Sequence, residues 1–311
     1  MMRALSSGIS GLHAHQTAMD VIGNNIANVD TYGFKSSNVM FRDSLYEEMA
    51  AASAPNATSG TGGMDPSEIG YGVNASSVSV NMGSGSFSAT GKATDCEIDG
   101  EGYFVIANGT PAGDKKVAPA SYKYTRVGSL HFDKSGYLVD GNKCRVCGQT
   151  NGVAAKTALT TANTAATSLL PADYTTTGNV PQYINYDPDP TYNDLKDVAV
   201  SVDGTVTATN DGQPVIVGKI ALAHFQNPNG LSQIGDSYYI NTENSGDAGY
   251  AAPGDTKTGT GKLKSNGLES SNVDLATEFA NMITYERGFQ ANSKIMNVAD
   301  EMLETLVNMK R

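Results

Sequence analysis

Tryptophan is absent, histidine occurs four times, cysteine three times, and only 17% of the 311 residues are charged. Each shortage removes a class of function. Three cysteines cannot all pair within one chain, and the Cys144-x-x-Cys147 pair has no second ligand pair after it. It reads as two small, half-buried strand residues, not as a zinc or redox site. His13 and His15 stand two residues apart on a helix and so point to different faces, while His131 and His224 fall in separate strand runs. No metal ligand set follows from them. The acidic run Asp187, Asp189, Asp194 and Asp197 lacks the spacing of a calcium loop. No G-x-S-x-G elbow, H-E-x-x-H pair or G-x-G-x-x-G loop occurs, and Gly261-Lys262 is followed by Leu263 where a phosphate loop needs a hydroxyl for magnesium. Hence no catalytic residue and no cofactor is expected, and paired carboxylates leave a glycan or peptide hydrolase only as a remote alternative. A net charge of -11 without a basic cluster excludes nucleic acid as a partner. No apolar run approaches bilayer-spanning length, and no apolar core follows Met1-Met2-Arg3, so neither membrane insertion nor a cleaved signal peptide is expected.

What the chain does have is a helical pattern at each end. From Asn272 onward there is no proline and a single glycine, Gly288, which favours helix. Asn272 or Asp274 can cap its start. Apolar residues recur at Leu275, Phe279, Met282, Phe289, Met296 and Leu303, with a second stripe through Ile295, Ala299, Met302, Leu306 and Met309. In the first segment Leu5, Leu12, Met19 and Ile26 fall at intervals of seven, and Ile22 and Val29 lie three residues beyond two of them. That spacing is a coiled-coil seam. So narrow a stripe, interrupted by Gly8, Gly11 and Gly23, does not offset the entropy of ordering the segment. The first helix therefore needs the opposite end of the chain, and neighbouring copies, to stay folded.

Between the ends the pattern changes. Amide and hydroxyl side chains from Asn24 to Ser36 end the first helix, with Gly33 free to take a positive φ. Phe41, Leu45, Tyr46 and Met49 suggest a further short amphipathic piece, and Ala50 to Met64 reads as a mobile loop. Alternation through Val73, Ala75, Val78, Val80 and Met82 marks strands with one polar face. The runs from Cys96 to Ile106, 122–126, 129–133 and 137–140, punctuated by glycines, predict an antiparallel meander. Residues 151–192 read as an irregular connection, and Asp203-Gly204 and Asp211-Gly212 as hairpin turns. The expected fold is α+β: long terminal helices forming a coiled-coil domain from residues 1–35 and 268–311, linker or hinge segments at 36–75 and 245–267, and an inserted antiparallel all-β domain at 76–244.

Several of these stretches together resemble one family, the axial proteins of the bacterial flagellum. Asn24, Asn25 and Asn28 followed by Gly33-Phe34-Lys35 are similar to its N-terminal signature. The stretch from Ile98 to Phe104, with Gly100, Gly102 and Phe104, resembles its central glycine-aromatic motif, and 124–128 with 136–139 resemble the pair after it. Asn272 and Val273 opening the last helix, then 287–294, match its C-terminal signature. The resemblance implies a helical homopolymer whose terminal helices line a central channel with β domains outward, delivered through the flagellar type III export apparatus to the cell exterior. It implies rod proteins, hook-filament junction proteins and the hook cap as neighbours. The ending 306–311 and the 293–295 region look most like hook proteins, so a curved, torque-transmitting hook tube acting as a universal joint is the first expectation. The layout from Gly230-Leu231 to Ser245-Gly246 is shared with the distal rod protein, which is the alternative.

Overall fold

The computed structural model describes residues 2–54, 62–108, 122–150, 181–184, 196–210, 213–256 and 258–309. Most of the 151–192 connection, Asp187, Asp189, Asp194, the Asp211-Gly212 turn and the centre of the 50–64 loop lie outside them. The chain divides into two compact units. A helical unit comprises Met1–Val29, Ser36–Asn81 and Val273–Arg311; a β unit comprises Asp30–Lys35 and Met82–Asn272. The α+β expectation thus holds, with a helix at each end and a central, mostly antiparallel sheet domain.

In the helical unit, α1 (Met2–Ala27) and α2 (Leu275–Met309) lie side by side and antiparallel. Gly8 faces Met296 and Asn292, His15 faces Gly288, and Asn25 meets Glu278, so positions rise along α1 as they fall along α2. Asp274, not Asn272, caps α2: its carboxylate accepts from the Ala276 amide at 3.0 Å and the Thr277 hydroxyl at 2.7 Å. Residues 36–75, expected as a linker, instead carry strands. β1 (Ser37–Asp43) pairs antiparallel with β4 (Val73–Val80), bulging between Met40 and Phe41, and β2 (Tyr46–Ala50) pairs with β3 (Ser67–Gly70). The short amphipathic piece around Phe41 to Met49 is therefore extended. Its β-branched and aromatic neighbours favour pleated backbone once a partner strand is supplied by residues 67–80.

The β unit contains β5 (Phe87–Ala89), β6 (Cys96–Asp99), β7 (Tyr103–Ala107), β8 (Tyr122–Thr125), β9 (Leu130–Phe132), β10 (Leu138–Asp140), β11 (Arg145–Thr150) and β12 (Gln182–Tyr183). It continues with β13 (Lys196–Val200), β14 (Thr205–Asn210), β15 (Gln213–Ile220), β16 (Leu222–His224), β17 (Ser232–Gly235), β18 (Tyr238–Ile240), β19 (Gly249–Ala251), β20 (Lys262–Ser265) and β21 (Gly267–Glu269). The main sheet runs β13-β14-β15-β11-β7-β8-β18-β17, while β20 pairs with β6 and β21 with β5. Strand β7 is buried on both faces: Phe104 and Ile106 enter one apolar cluster with Leu138, Val146 and Leu222, and Tyr103 and Val105 enter another with Tyr124, Phe225 and Tyr239. Aromatic pairs such as Tyr124 on Phe225, at 4.8 Å edge to face, fill the second cluster in place of the missing tryptophan.

The cysteines are more enclosed than a half-buried reading allows. All three are free and buried, and Cys144 and Cys147 enter different clusters, so they cannot grip one ion together. Burial pushes the Cys96 thiol up to about 12 and the Cys147 thiol higher still, which keeps both protonated and inert.

Candidate functional site: the helix pair and the motif that fastens it

Helix α1 turns its small residues inward. Gly8, Gly11, Ala14, Ala18, Ile22 and Asn25 are buried, at three- and four-residue intervals. The expected seam residues Leu5, Leu12, Met19, Ile26 and Val29 are only half-buried and flank this line; Ile22 alone belongs to both sets. Close approach explains the choice. A Cβ at Gly11 would lie 2.5 Å from the Asn292 amide nitrogen, and one at Gly288 would lie 2.7 Å from His15 Nε2. Glycine is what lets the backbones come so near. On α2, Met282, Phe289 and Met296 are half-buried, while Leu275, Phe279, Leu303 and Leu306 are exposed. From Asp300 to Met309 every residue of α2 is exposed, including Val307 at 68% and Met309 at 78%. Since Gly8 lies opposite Met296, this last stretch runs past the start of α1 with its apolar stripe uncovered.

The asparagine-rich stretch works by hydrogen bonding inside the helical unit. Asn28 caps the end of α1 by donating to Asn24, through both the carbonyl and the side chain, at 2.9 and 2.8 Å. Asn25 is 1% exposed. It donates to the Ser37 carbonyl at 2.8 Å and to Glu278 Oε1 at 3.0 Å, and accepts from the Ser37 amide at 2.9 Å. One amide side chain therefore ties α1 to both β1 and α2. A polar residue satisfied in only one alignment fixes register.

The Gly33-Phe34-Lys35 stretch does the same inside the β unit. Gly33 adopts φ +68°, its amide donates to the Glu269 carbonyl at 2.8 Å, and a Cβ there would come within 2.9 Å of Val127. The Lys35 ammonium, 1% exposed, donates to Glu269 Oε1 at 2.6 Å and to the Gly83 carbonyl at 2.8 Å. Burial pulls its pKa down from the ordinary lysine value, with Glu269 opposing. The Gly85 amide also donates to Glu269 Oε1, at 2.8 Å, and Arg126 Nη1 lies 3.6 Å from the other carboxylate oxygen. Arg126 in turn donates to the Gly100 carbonyl at 2.9 Å, in a turn where Gly100 and Gly102 hold φ of 121° and 133°. Phe104 follows as a fully buried core residue, and the half-buried Asn272 donates to the Gly83 carbonyl at 3.0 Å. Lys35 and Arg126 thus meet at one carboxylate, the Gly100 turn joins through Arg126, and Asn272 shares the Gly83 carbonyl with Lys35.

Sequence reading missed Gly8, Gly11, Ala14 and Ala18, whose spacing was there to see but which apolar periodicity discounts because the side chains are small. It also missed Glu269 and Glu278, for which no local pattern exists because their partners Lys35 and Asn25 lie more than two hundred residues away, and it placed Arg126 within the 124–128 motif without its buried role. As for enzymatic chemistry, a cleft of about 490 Å3 in the β unit is lined, among the described residues, by His131, Asp133, Lys143 and Arg145, with Asp133 as the one carboxylate among them. Among the described residues no group of His, Cys, Asp or Glu could hold a metal ion, and no helix is long and apolar enough to cross a membrane.

Residues 5–35 match the family described as flagella basal body rod protein, and residues 264–309 match the flagellar basal body rod FlgEFG protein C-terminal family. Among similar proteins, the flagellar basal-body rod protein FlgG of Bacillus subtilis (strain 168) is 38% identical over 313 residues, covering 100% of both chains. FlgG of Caulobacter vibrioides is 31% identical over 311 residues, covering 99% of this chain and all of that one. The flagellar hook protein FlgE of Borreliella burgdorferi is 27% identical over 455 residues, covering both chains. These are structural proteins and not enzymes, and the family implies self-polymerisation within the flagellar axis. The two matched segments are the two chain ends that fasten on each other, and the chain belongs to the flagellar axial family of rod and hook proteins.

Proposed function

We propose that the chain is a subunit of the distal rod of the flagellar basal body, polymerising through its terminal helices into a straight hollow tube that carries torque. One observation carries the choice over the hook. Rod proteins align from end to end over 313 and 311 positions, nearly the length of this chain, whereas the hook relative needs 455. The hook expectation rested on short end segments, 293–295 and 306–311, that lie within what rod and hook proteins share.

The surface of the helical unit supports the same reading. The half-buried Leu5, Leu12, Met19, Ile26 and Val29, with the exposed Leu275, Phe279, Leu303 and Leu306, are apolar groups left for neighbouring copies after the small-residue seam is closed. The β2-β3 ribbon adds Leu45, Tyr46, Met49 and Ile69, all exposed. A two-stranded ribbon is marginal alone in water, so it gains its stability against other subunits. Wedged ribbons resist sliding, which suits a rigid rod better than the hinge that the 50–64 segment suggests from composition. Delivery through the flagellar export channel, and contact with adjoining axial proteins, belong to this proposal.

Electron microscopy of the concentrated protein tests it. Straight, rigid tubes are expected; curved, flexible tubes would transfer the assignment to the hook, and no polymer under any condition would remove both.

A further inference from the structure

We propose that the cleft of about 490 Å3 on the β unit is a carboxylate-binding site, filled in the assembled protein by an Asp or Glu side chain of a second copy. Its floor follows from strand register. His131 on β9 pairs with Val139 on β10, Val139 with Arg145 on β11, and Arg145 with Ala107 on β7, so the four side chains form one row on one face of the sheet. The β9-β10 turn brings Asp133 to one end of the row, and the β10-β11 turn brings Lys143 to the other.

The charge in this cleft runs against that of the chain. Lys143, Arg145 and His131 line it, while Oδ1 of Asp133 accepts from the amides of Ser135 and Tyr137 at 2.9 Å each and so serves its own turn. Arg145 is held by stacking: its guanidinium carbon lies 4.2 Å from the centre of the Tyr137 ring and 5.4 Å from that of Tyr183, both buried. A guanidinium fixed in this way offers a planar fork that matches a carboxylate. Lys143 is exposed, and it keeps a φ of +66° that glycine or asparagine would adopt at lower cost. Strain held at the rim of a cleft points to use and not to stability. The volume falls within the range of ligand pockets, about 300–1,000 Å3, which is more than a lone ion needs and enough for a residue-sized guest. Acidic residues outnumber basic ones by 32 to 21, so the charged groups that another copy presents are mostly carboxylates. The choice of source rests on the self-assembly that the family implies; the site itself does not.

Two measurements on the full chain separate site from source. In dilute solution, sodium citrate should shift the His131 ring and Lys143 amide signals in nuclear magnetic resonance spectra, and sodium chloride of equal ionic strength should not. Lys143→Gly, which relieves the strained turn and keeps the fold, should weaken citrate binding by about threefold or more. Equal shifts with both salts, or a smaller loss in the variant, would overturn the site. At high concentration, Lys143→Glu should raise the protein concentration needed for sedimenting polymer by about threefold or more, while the charge-preserving Lys143→Arg assembles like the parent. A smaller rise for Lys143→Glu, or an equal rise for Lys143→Arg, would overturn the second copy as the source and leave the cleft to a free carboxylate. Should the parent itself form no polymer, the rod reading and the second copy fall together, and the citrate result alone decides the cleft.

Discussion

Lys143 holds φ at +66° in the turn between β10 and β11, its amide donating to the Asp140 carbonyl at 2.9 Å. A side chain in that region crowds the following carbonyl and costs roughly 1–2 kcal/mol, while glycine gives part of the gain back as unfolded-chain entropy. Lys143→Gly should therefore raise stability by about 0.5–1 kcal/mol, read as a higher urea midpoint at unchanged slope. Glu97 is a different case. It is 4% exposed with Oε2 unpartnered, and burial, reinforced by the nearby Glu269 charge, raises its pKa. A carboxyl raised in the folded state favours folding when protonated. That contribution is complete below the unfolded carboxyl value and is lost as pH rises through the raised folded value. Glu97→Gln, which resembles the protonated form, is expected to match the parent in acid and to exceed it at pH 7 by about 1 kcal/mol. Thermal melts at several pH values check this, and a lower melting temperature for the variant at pH 7 would contradict it.

At the scale of elements, the helix pair depends on glycine for proximity and on amides for alignment. Gly11→Leu would drive a branched side chain into Asn292. Overpacking of this kind costs about 1–3 kcal/mol, so the helical circular-dichroism melt should shift down while the near-ultraviolet signal of the tyrosine-rich β unit persists. Asn25→Ala removes three hydrogen bonds and leaves the Ser37 backbone groups to find water. About 2–3 kcal/mol of local stability should vanish, visible as faster exchange of the Ser37 amide. Much at this scale was legible in advance. The two helices, the glycine turns at Gly33, Gly100, Gly102 and Gly136, and a cap at either Asn272 or Asp274 all follow from propensity and local side-chain chemistry. Strand β4 was legible too, from the alternation through Val73, Ala75, Val78 and Val80, whereas β1, β2 and β3 lie in stretches that composition reads as an amphipathic piece and a linker.

For the whole molecule, stability and assembly draw on different residues. Leu306 and Val307 are exposed beyond the covered part of α2, so Leu306→Asp with Val307→Asp should leave the monomer melt within about 0.5 kcal/mol of the parent. Polymer formation, measured by sedimentation at high concentration, should be abolished. Unchanged polymer yield would show that this stripe is not an intersubunit surface.

Taken alone, the residue order determined that both ends are helical, that the middle is antiparallel sheet, and that the chain carries the ordered signatures of a flagellar axial protein. Those properties are written in spacing and local chemistry, which act within a few residues of chain. Only the tertiary structure decided that α1 buries Gly8, Gly11, Ala14 and Ala18 in place of its leucines, and that Lys35, Arg126 and Glu269 share one buried site. Periodicity reveals which side chains share a face but not how near the partner comes, and a charge buried against another 234 positions away leaves no trace in its own neighbourhood.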